Sequence, residues 1–343
     1  MWPFDHFTSW FGAAPASPPP PPPPPPRATA TSNLPPAIQN GAGANNLVRF
    51  QIESDWHLEQ AQFFDLEYRV FRANFPAPQP GDILLLAGDC GRVNLGTARA
   101  ANGSLSEFDY FAAYQRVLQE DFAPTYRHVF LIGGNNEPKT LPLGPILEES
   151  IVKLKSMENA IPNLTVLENQ SADLSGLGHD ITILGCTLWS RIREDAAPAS
   201  GDAGTWTGET NAAHNERFER SYQWLKDEVA RVRRERPTHR IIIMTHHAPT
   251  IRESGQPGRD GTRAEGLVPA QPEQWSGYQT DILGGEGLVG LRPGDHWVFG
   301  HTHFSTQFEQ DEVRCISNQR GGPSNDSKLR ATRYRKGGVV VEI

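Results

Sequence analysis

Five short apolar runs, each followed closely by residues that suit a metal centre, constrain this chain more than any other feature of its 343 residues. Val48, Phe50 and Ile52 lead to Asp55-Trp56-His57, Ile83 to Ala87 lead to Gly88-Asp89, and Val129 to Ile132 lead to Gly134-Asn135. Ile241 to Thr245 run into His246-His247, and Trp297 to Phe299 run into Gly300-His301-Thr302-His303. Apolar runs of this length read as buried strands, and buried strands read as a mostly parallel sheet. In open α/β sheets, ligands gather in the crevice outside the carboxyl ends of the strands. Carboxylates, an amide and imidazoles therefore recur where a functional site should form.

The donors can be taken one by one. Asp55 and His57 stand two apart at a strand end, where side-chain alternation puts both on one face and within reach of one ion. Asp89 follows the second run, and because a carboxylate can bridge two cations it is the natural shared ligand. Asn135 offers an amide oxygen, His246 an imidazole, and His301 and His303 flank Thr302. Two Asp, one Asn and four His are too many for one tetrahedral ion but suit a pair sharing a carboxylate. Mixed imidazole and oxygen donors favour Mn, Fe or Zn over Ca, and the absence of cysteine from the set argues against a structural zinc.

Bulk properties narrow the class. A net charge of -8 argues against a general nucleic-acid surface, so long nucleic acid is not an expected partner. Cys90, Cys186 and Cys315 lie far apart, as reduced thiols in an intracellular protein do. Met1-Trp2-Pro3-Phe4 lacks the basic and apolar regions of a signal peptide, and no run approaches the ~20 apolar residues of a membrane span. The expectation is a cytoplasmic protein with no membrane partner.

Residues 1–46 are read as a disordered, Pro-rich N-terminal segment, with unbroken proline from Pro18 to Pro26. Such a tract adopts extended polyproline II. It reads first as a stiff solvated tail and second as a docking segment for an SH3, WW or EVH1-type partner.

Residues 47–343 are read as one α/β domain in which strands and helices alternate. Ser104-Leu-Ser-Glu107 has the form of a capping box, opening a helix that buries Phe108, Phe111, Ala112 and Leu118. Pro145 suits the start of a helix with Leu147, Ile151, Leu154 and Met157 on its apolar face. A long helix is expected after Thr210, its buried stripe formed by Phe218, Tyr222, Leu225, Val229 and Val232. Thr165 to Leu167, Ile181 to Leu184, Val313 to Ile316 and Gly338 to Ile343 read as further strands.

The ordered set D-x-H, G-D, G-N-x-E, H-H and G-H-x-H resembles the calcineurin-like metallophosphoesterase superfamily, from about Leu47 to the C-terminus. Glu53 to Glu59, Val298 to Phe304, Asn211 to Asn215 and Ser317 to Gly321 resemble an uncharacterised intracellular, often fungal, branch of it. The resemblance implies a four-layer α/β/β/α sandwich. It implies one ion on Asp55, His57, Asp89 and His303, a second on Asp89, Asn135, His246 and His301, and His247 beside the substrate. It also implies hydrolysis of a phosphomonoester or phosphodiester by a hydroxide bridging two divalent ions.

One position departs from that pattern. The family's third block usually carries a histidine that faces the leaving group, and here Asn136 replaces it. Loss of such an acid typically costs ~10²–10⁴-fold where the leaving group is poor. His214 or His247 is the expected substitute acid. The alternative is a catalytically weak or inactive phospho-ligand-binding regulator, docking partners through its Pro-rich tail. His6, His128, His179, His239 and His296 read as structural or solvated. Arg252, Arg259 and Arg263 stand in a glycine-rich, charged segment that is expected either to meet phosphate or to be a solvated loop. The Gly285-x-Gly287-x-x-Gly290 pattern is discounted because Pro293 and Gly294 leave no room for the helix it needs.

Overall fold

The structure, a computed structural model, describes residues 47–60, 72, 78, 82–93, 95–99, 105–138, 147–193, 210–255, 277–283, 287–321, 332–336 and 338–343. The proline tract, Pro145, Arg259 and Arg263 lie outside the described residues.

In chain order the elements are β1 (Arg49–Glu53), β2 (Ile83–Ala87), β3 (Leu95–Arg99), β4 (Leu105–Asp109), α1 (Tyr110–Val117), β5 (His128–Ile132) and α2 (Leu147–Ser156). There follow β6 (Leu164–Val166), β7 (Gln170–Asp173), β8 (Ile181–Cys186), α3 (Asn211–Glu235), β9 (Arg240–Thr245) and β10 (His296–Val298). The chain ends through β11 (Thr306–Gln310), β12 (Val313–Ser317) and β13 (Val339–Glu342).

The apolar runs divide between two sheets instead of sharing one. The first has the order β13-β1-β2-β5-β6 and the second β11-β12-β10-β9-β8-β7, with β3 and β4 as a separate hairpin. In the first sheet, β1, β2, β5 and β6 run parallel. In the second, β8, β9, β10 and β12 do. Antiparallel strands β13, β7 and β11 close three of the edges.

Why the runs are apolar throughout follows from the layers. Ile83, Leu85 and Ala87 point into the core between the sheets, where Ile183, Ile242, Met244 and Val298 meet them. Leu84 and Leu86 point the other way, onto Tyr114 and Val117 of α1 and Leu154 of α2. On the far side, Ile241, Ile243 and Trp297 pack on Phe218, Tyr222, Leu225, Val229 and Val232 of α3. Both faces of each central strand are dry, giving the four-layer α/β/β/α sandwich.

The helix after Thr210 forms as its pattern demands, and Thr210 Oγ1 caps it by accepting from Ala213 N at 3.2 Å. The expected capping box does not. Leu105–Asp109 is a strand paired with Leu95–Arg99, and Glu107 sits opposite Thr97. The helix opens five residues later, where Asp109 accepts from Ala112 N at 2.9 Å. Ala112 is consequently exposed, while Tyr114, Val117 and Leu118 carry the buried face. Strand pairing has overridden a local capping signal. Cys90, Cys186 and Cys315 are all buried as free thiols. Among the described residues, no helix is long and apolar enough to cross a membrane.

His128 gives the fold an acid-sensitive point. Its Nε2 lies 2.8 Å from Thr165 Oγ1, and burial, with a smaller contribution from Arg127, pushes the imidazole down to about 4. Unfolded, the ring titrates near 6.5. The unfolded chain therefore gains a proton between pH 6.5 and about 4 that the native protein refuses. The stabilisation is complete above 6.5 and lost as pH falls through that window, at most about 3 kcal/mol. His128→Gln keeps a neutral partner for Thr165. Urea denaturation at pH 7 and pH 4.5 is expected to show wild type losing about 2–3 kcal/mol more than this variant on acidification.

Candidate metal centre

The parallel strands deliver their carboxyl ends to one rim, where the two sheets are joined by polar contacts. His246 Nδ1, beyond β9, sits 2.9 Å from Ala87 O at the end of β2. The backbone N–H of His301, beyond β10, lies 3.1 Å from both carboxylate oxygens of Asp55. Gly300 is required here: a Cβ would stand 2.7 Å from Asp55 Oδ2 and 2.8 Å from Ala87 O.

Strand alternation is not what aims the ligands. β1 ends at Glu53 and β10 at Val298, before any of them. Asp55, His57, Asp89, His301 and His303 instead take left-handed backbone, with φ of 54°, 50°, 55°, 71° and 50°. Each such non-glycine residue costs about 1 kcal/mol or more, and strain of this kind collects at functional sites. The turns curl Asp55 and His57, and likewise His301 and His303, into the rim.

Two groups of donors result, Asp55 with His57 and His303, and Asp89 with His246 and His301; within each, one ligand atom per residue lies within 4.8 Å of the others. Asp89 stands between them. Its Oδ2 is 3.3 Å from His246 Nε2 in its own group and 3.7 Å from His57 Nε2 in the other. His57 Nε2 and His303 Nε2 face each other at 3.0 Å, and His303 Nε2 is 3.3 Å from Asp55 Oδ1. Asn135 Oδ1 joins the second group at 2.9 Å from His246 Nε2.

The chemistry of this set fits a pair of divalent ions. Borderline imidazole nitrogens converge with hard carboxylate oxygens, with no thiolate among them. The nitrogens that face away are held in turn: Glu59 Oε1 lies 3.1 Å from His57 Nδ1, and Ala87 O fixes His246. Such outer partners orient metal-binding imidazoles. Burial alone would lower both rings, but Glu59, Asp89 and Asp55 together raise His57 to about 9. For His246, Asp89, Asp55 and the Ala87 carbonyl outweigh burial and raise it to about 10. The site thus draws positive charge, and a metal ion would displace those protons on binding.

A sequence profile of the calcineurin-like phosphoesterase family matches residues 48–305, three quarters of the chain. The chain belongs to that family. It is also 25% identical over 290 residues to an uncharacterized protein of Acanthamoeba polyphaga mimivirus, covering 78% of this chain and 89% of the viral one. Among solved structures it is similar to the phosphopantetheinyl hydrolase of Mycobacterium tuberculosis, with a TM-score of 0.55 and 15% identity over 87% of this chain and 97% of that one. At that identity the likeness shows the shared fold.

The remaining expected site residues take up distinct places in this calcineurin-like phosphoesterase. Asn136 faces Asp89, its backbone N–H donating to Oδ1 at 2.8 Å and its side-chain amide to Oδ2. His247 is fully buried, its ring 4.1 Å from that of His301 and 5.5 Å from that of Trp189. His214 lies one ring further out, 6.0 Å from His247, with its Nε2 3.4 Å from Ser190 N.

Sequence reasoning gave no role to several residues that the structure brings in. Glu137 is buried in the turn after Asn135, accepting from Cys90 N at 3.0 Å and Gly134 N at 2.8 Å. Glu59 and Glu137 both stood inside the quoted motifs, so their signal was present and unassigned. Trp189, beside His247, and Tyr278, whose ring stacks 4.9 Å from that of His301, carried none.

Proposed function

We propose that this phosphoesterase is a dinuclear, metal-dependent enzyme that hydrolyses a phosphomonoester or phosphodiester. The observation supporting this reading is the pair of donor groups with Asp89 between them, assembled at one rim from the strand ends of two sheets. The donor set suits Mn, Fe or Zn. Asp55, His57, Asp89 and His303 would hold one ion, and Asp89, Asn135, His246 and His301 the other. When bound, two such ions would supply a water of lowered pKa and would neutralise charge building on the phosphoryl oxygens.

The chain's own residues keep that arrangement in register. Ser54 Oγ donates to Asp55 Oδ2 at 2.6 Å, and Glu59 turns His57 so that Nε2 faces inward. Asn136 spends its amide on Asp89, an interaction that orients the shared carboxylate. An amide there cannot deliver a proton to a departing alkoxide, so substrates with good leaving groups should suffer least. The same contact favours a second reading, a phospho-ligand sensor that retains its metals and turns over slowly.

Hydrolysis of bis-(p-nitrophenyl) phosphate separates the two, because nitrophenolate departs without help. Metal-stripped protein is expected to be inactive and to recover on addition of Mn²⁺. Recovery in wild type with none in Asp89→Asn supports the enzyme. Two bound ions without turnover would transfer the assignment to the sensor.

A further inference from the structure

Ser317 to Gly321, one of the segments that carry the family resemblance, continues from β12 of the second sheet and crosses to the first. Ser54 N donates to Asn318 O at 3.1 Å, Arg320 N donates to Ser54 O at 3.2 Å, and Gln319 lies opposite Ser54 as a parallel bridge. Ser54 directly precedes Asp55, so the Gln319 backbone is fixed to the turn that carries Asp55 and His57. Its side chain serves a ligand of the other sheet. Gln319 is fully buried, and its Nε2 donates to Thr302 Oγ1 at 3.0 Å and to Phe304 O at 3.1 Å. Those two residues flank His303. The partners fix which way the amide points. Thr302 Oγ1 gives its one hydrogen to Ser254 O at 2.6 Å, and Phe304 O is a carbonyl, so towards Gln319 both can only accept.

His303 needs such a brace more than the other candidate donors. Its side chain is 41% exposed, while the others are all buried. Packing therefore does less to aim this ring, and the backbone beneath it does more. That backbone is left-handed at φ 50°, a conformation that persists only where its surroundings over-determine it. The second donor group leans on a separate joint. His246 N and His247 N both donate to Thr187 O at 3.3 Å, and Thr187 Oγ1 donates to Gly133 O at 2.9 Å, in the turn that leads to Asn135.

We infer that Gln319 is a positioning residue: its amide brackets His303 while its backbone pairs with Ser54, which fixes where His303 stands against Asp55 and His57 and thereby sets the affinity of their ion site. One side chain joins ligands that come from two different sheets. The site on Asp89, His246 and His301, joined through Thr187, answers differently to its loss. This inference rests on the dinuclear reading, and its test is read from metal binding without any substrate.

The experiment is a Co²⁺ titration of apo protein followed by visible d–d absorption and bound-metal content. Gln319→Met keeps the length of the side chain and the backbone pairing but removes both N–H donors. Phe304 O still accepts from Ser317 Oγ at 3.0 Å, so the turn is not stripped of support. One of two binding steps is expected to weaken by about 10–100-fold, the range typical of partners behind a metal ligand, and the other to stay at its parent value. The weakened step should be the one that His303→Ala weakens. Thr302→Val removes one of the two bonds from its other end and should weaken the same step, whereas Thr302→Ser keeps the hydroxyl and should leave both steps at their parent values. This pair carries the test alone if Gln319→Met does not fold. Two parent-like steps in Gln319→Met, or in Thr302→Val where only that pair folds, would overturn the inference and leave the dinuclear reading standing. Equal weakening of both steps would also overturn it, since it marks general loosening, as would weakening of the step that His303→Ala spares. Fewer than two Co²⁺ bound by wild type would remove the dinuclear reading, and this inference with it.

Discussion

Asp89→Asn is expected to bind neither ion tightly and to cut hydrolysis of bis-(p-nitrophenyl) phosphate by well over a hundredfold. A partner behind a metal ligand typically costs about 10–100-fold in metal affinity when lost. Asp89 is no outer partner: its Oδ2 sits 3.3 Å from His246 Nε2 and 3.7 Å from His57 Nε2, facing a nitrogen of each donor group. The substitution removes one negative charge from both groups at once. It also disturbs the contacts to Asn136, whose backbone and side-chain N–H groups both donate to this carboxylate. An amide has only one acceptor oxygen, so one of those donors would meet an NH₂. Metal content after dialysis and the rate at saturating Mn²⁺ measure the effect. A variant retaining two ions at parent affinity would show that the shared position belongs to another residue.

Glu137→Ala is expected to lower the stability of the apo protein by about 2–5 kcal/mol, although no metal touches the lost group. The carboxyl accepts from Cys90 N at 3.0 Å and from Gly134 N at 2.8 Å, in the turns that carry Asp89 and Asn135. Leaving a buried donor without a partner costs about 1–3 kcal/mol, and here two are orphaned together. Burial, reinforced by the charge of Asp89, pushes this carboxyl up to about 8. Glu137→Gln keeps an acceptor oxygen for one of the two N–H groups and adds no charge, so it should lose clearly less than alanine. Urea denaturation of the three proteins in chelator decides it. A loss in alanine of under about 0.5 kcal/mol, the range of an ordinary surface change, would mean that the turns hold without Glu137.

The donors were legible in the sequence because each follows its strand within a few residues, so spacing alone exposed Asp55, His57, Asp89, Asn135, His246, His301 and His303 as a set. The partition into two sheets was not legible from the strands. Ile83 to Ala87 is buried on both faces, and a run without alternation carries no mark of which sheet it joins. The sandwich came from the resemblance. Strand alternation also gave the wrong reason for the right pairing of Asp55 with His57, because left-handed turns lie beyond the reach of a period-two rule. Ser104 to Glu107 misled for the opposite reason: its capping pattern is local, while the pairing with Leu95–Arg99 that overrode it is not. Trp189 was silent because its position depends on where α3 docks.

The donors also divide in time. On the ribosome Asp55, His57, Asp89 and Asn135 are all made before any of the second sheet's ligands, and 111 residues separate Asn135 from His246. At synthesis rates of about 5–20 residues per second, the nascent chain spends roughly 5–20 s with this half alone. That half is mostly oxygen, the donor type preferred by Mg²⁺ and Ca²⁺, and everything still to come is imidazole. The donors that would favour borderline transition metals are therefore the last to be made, and His246, His301 and His303 would close over whatever the early carboxylates have met.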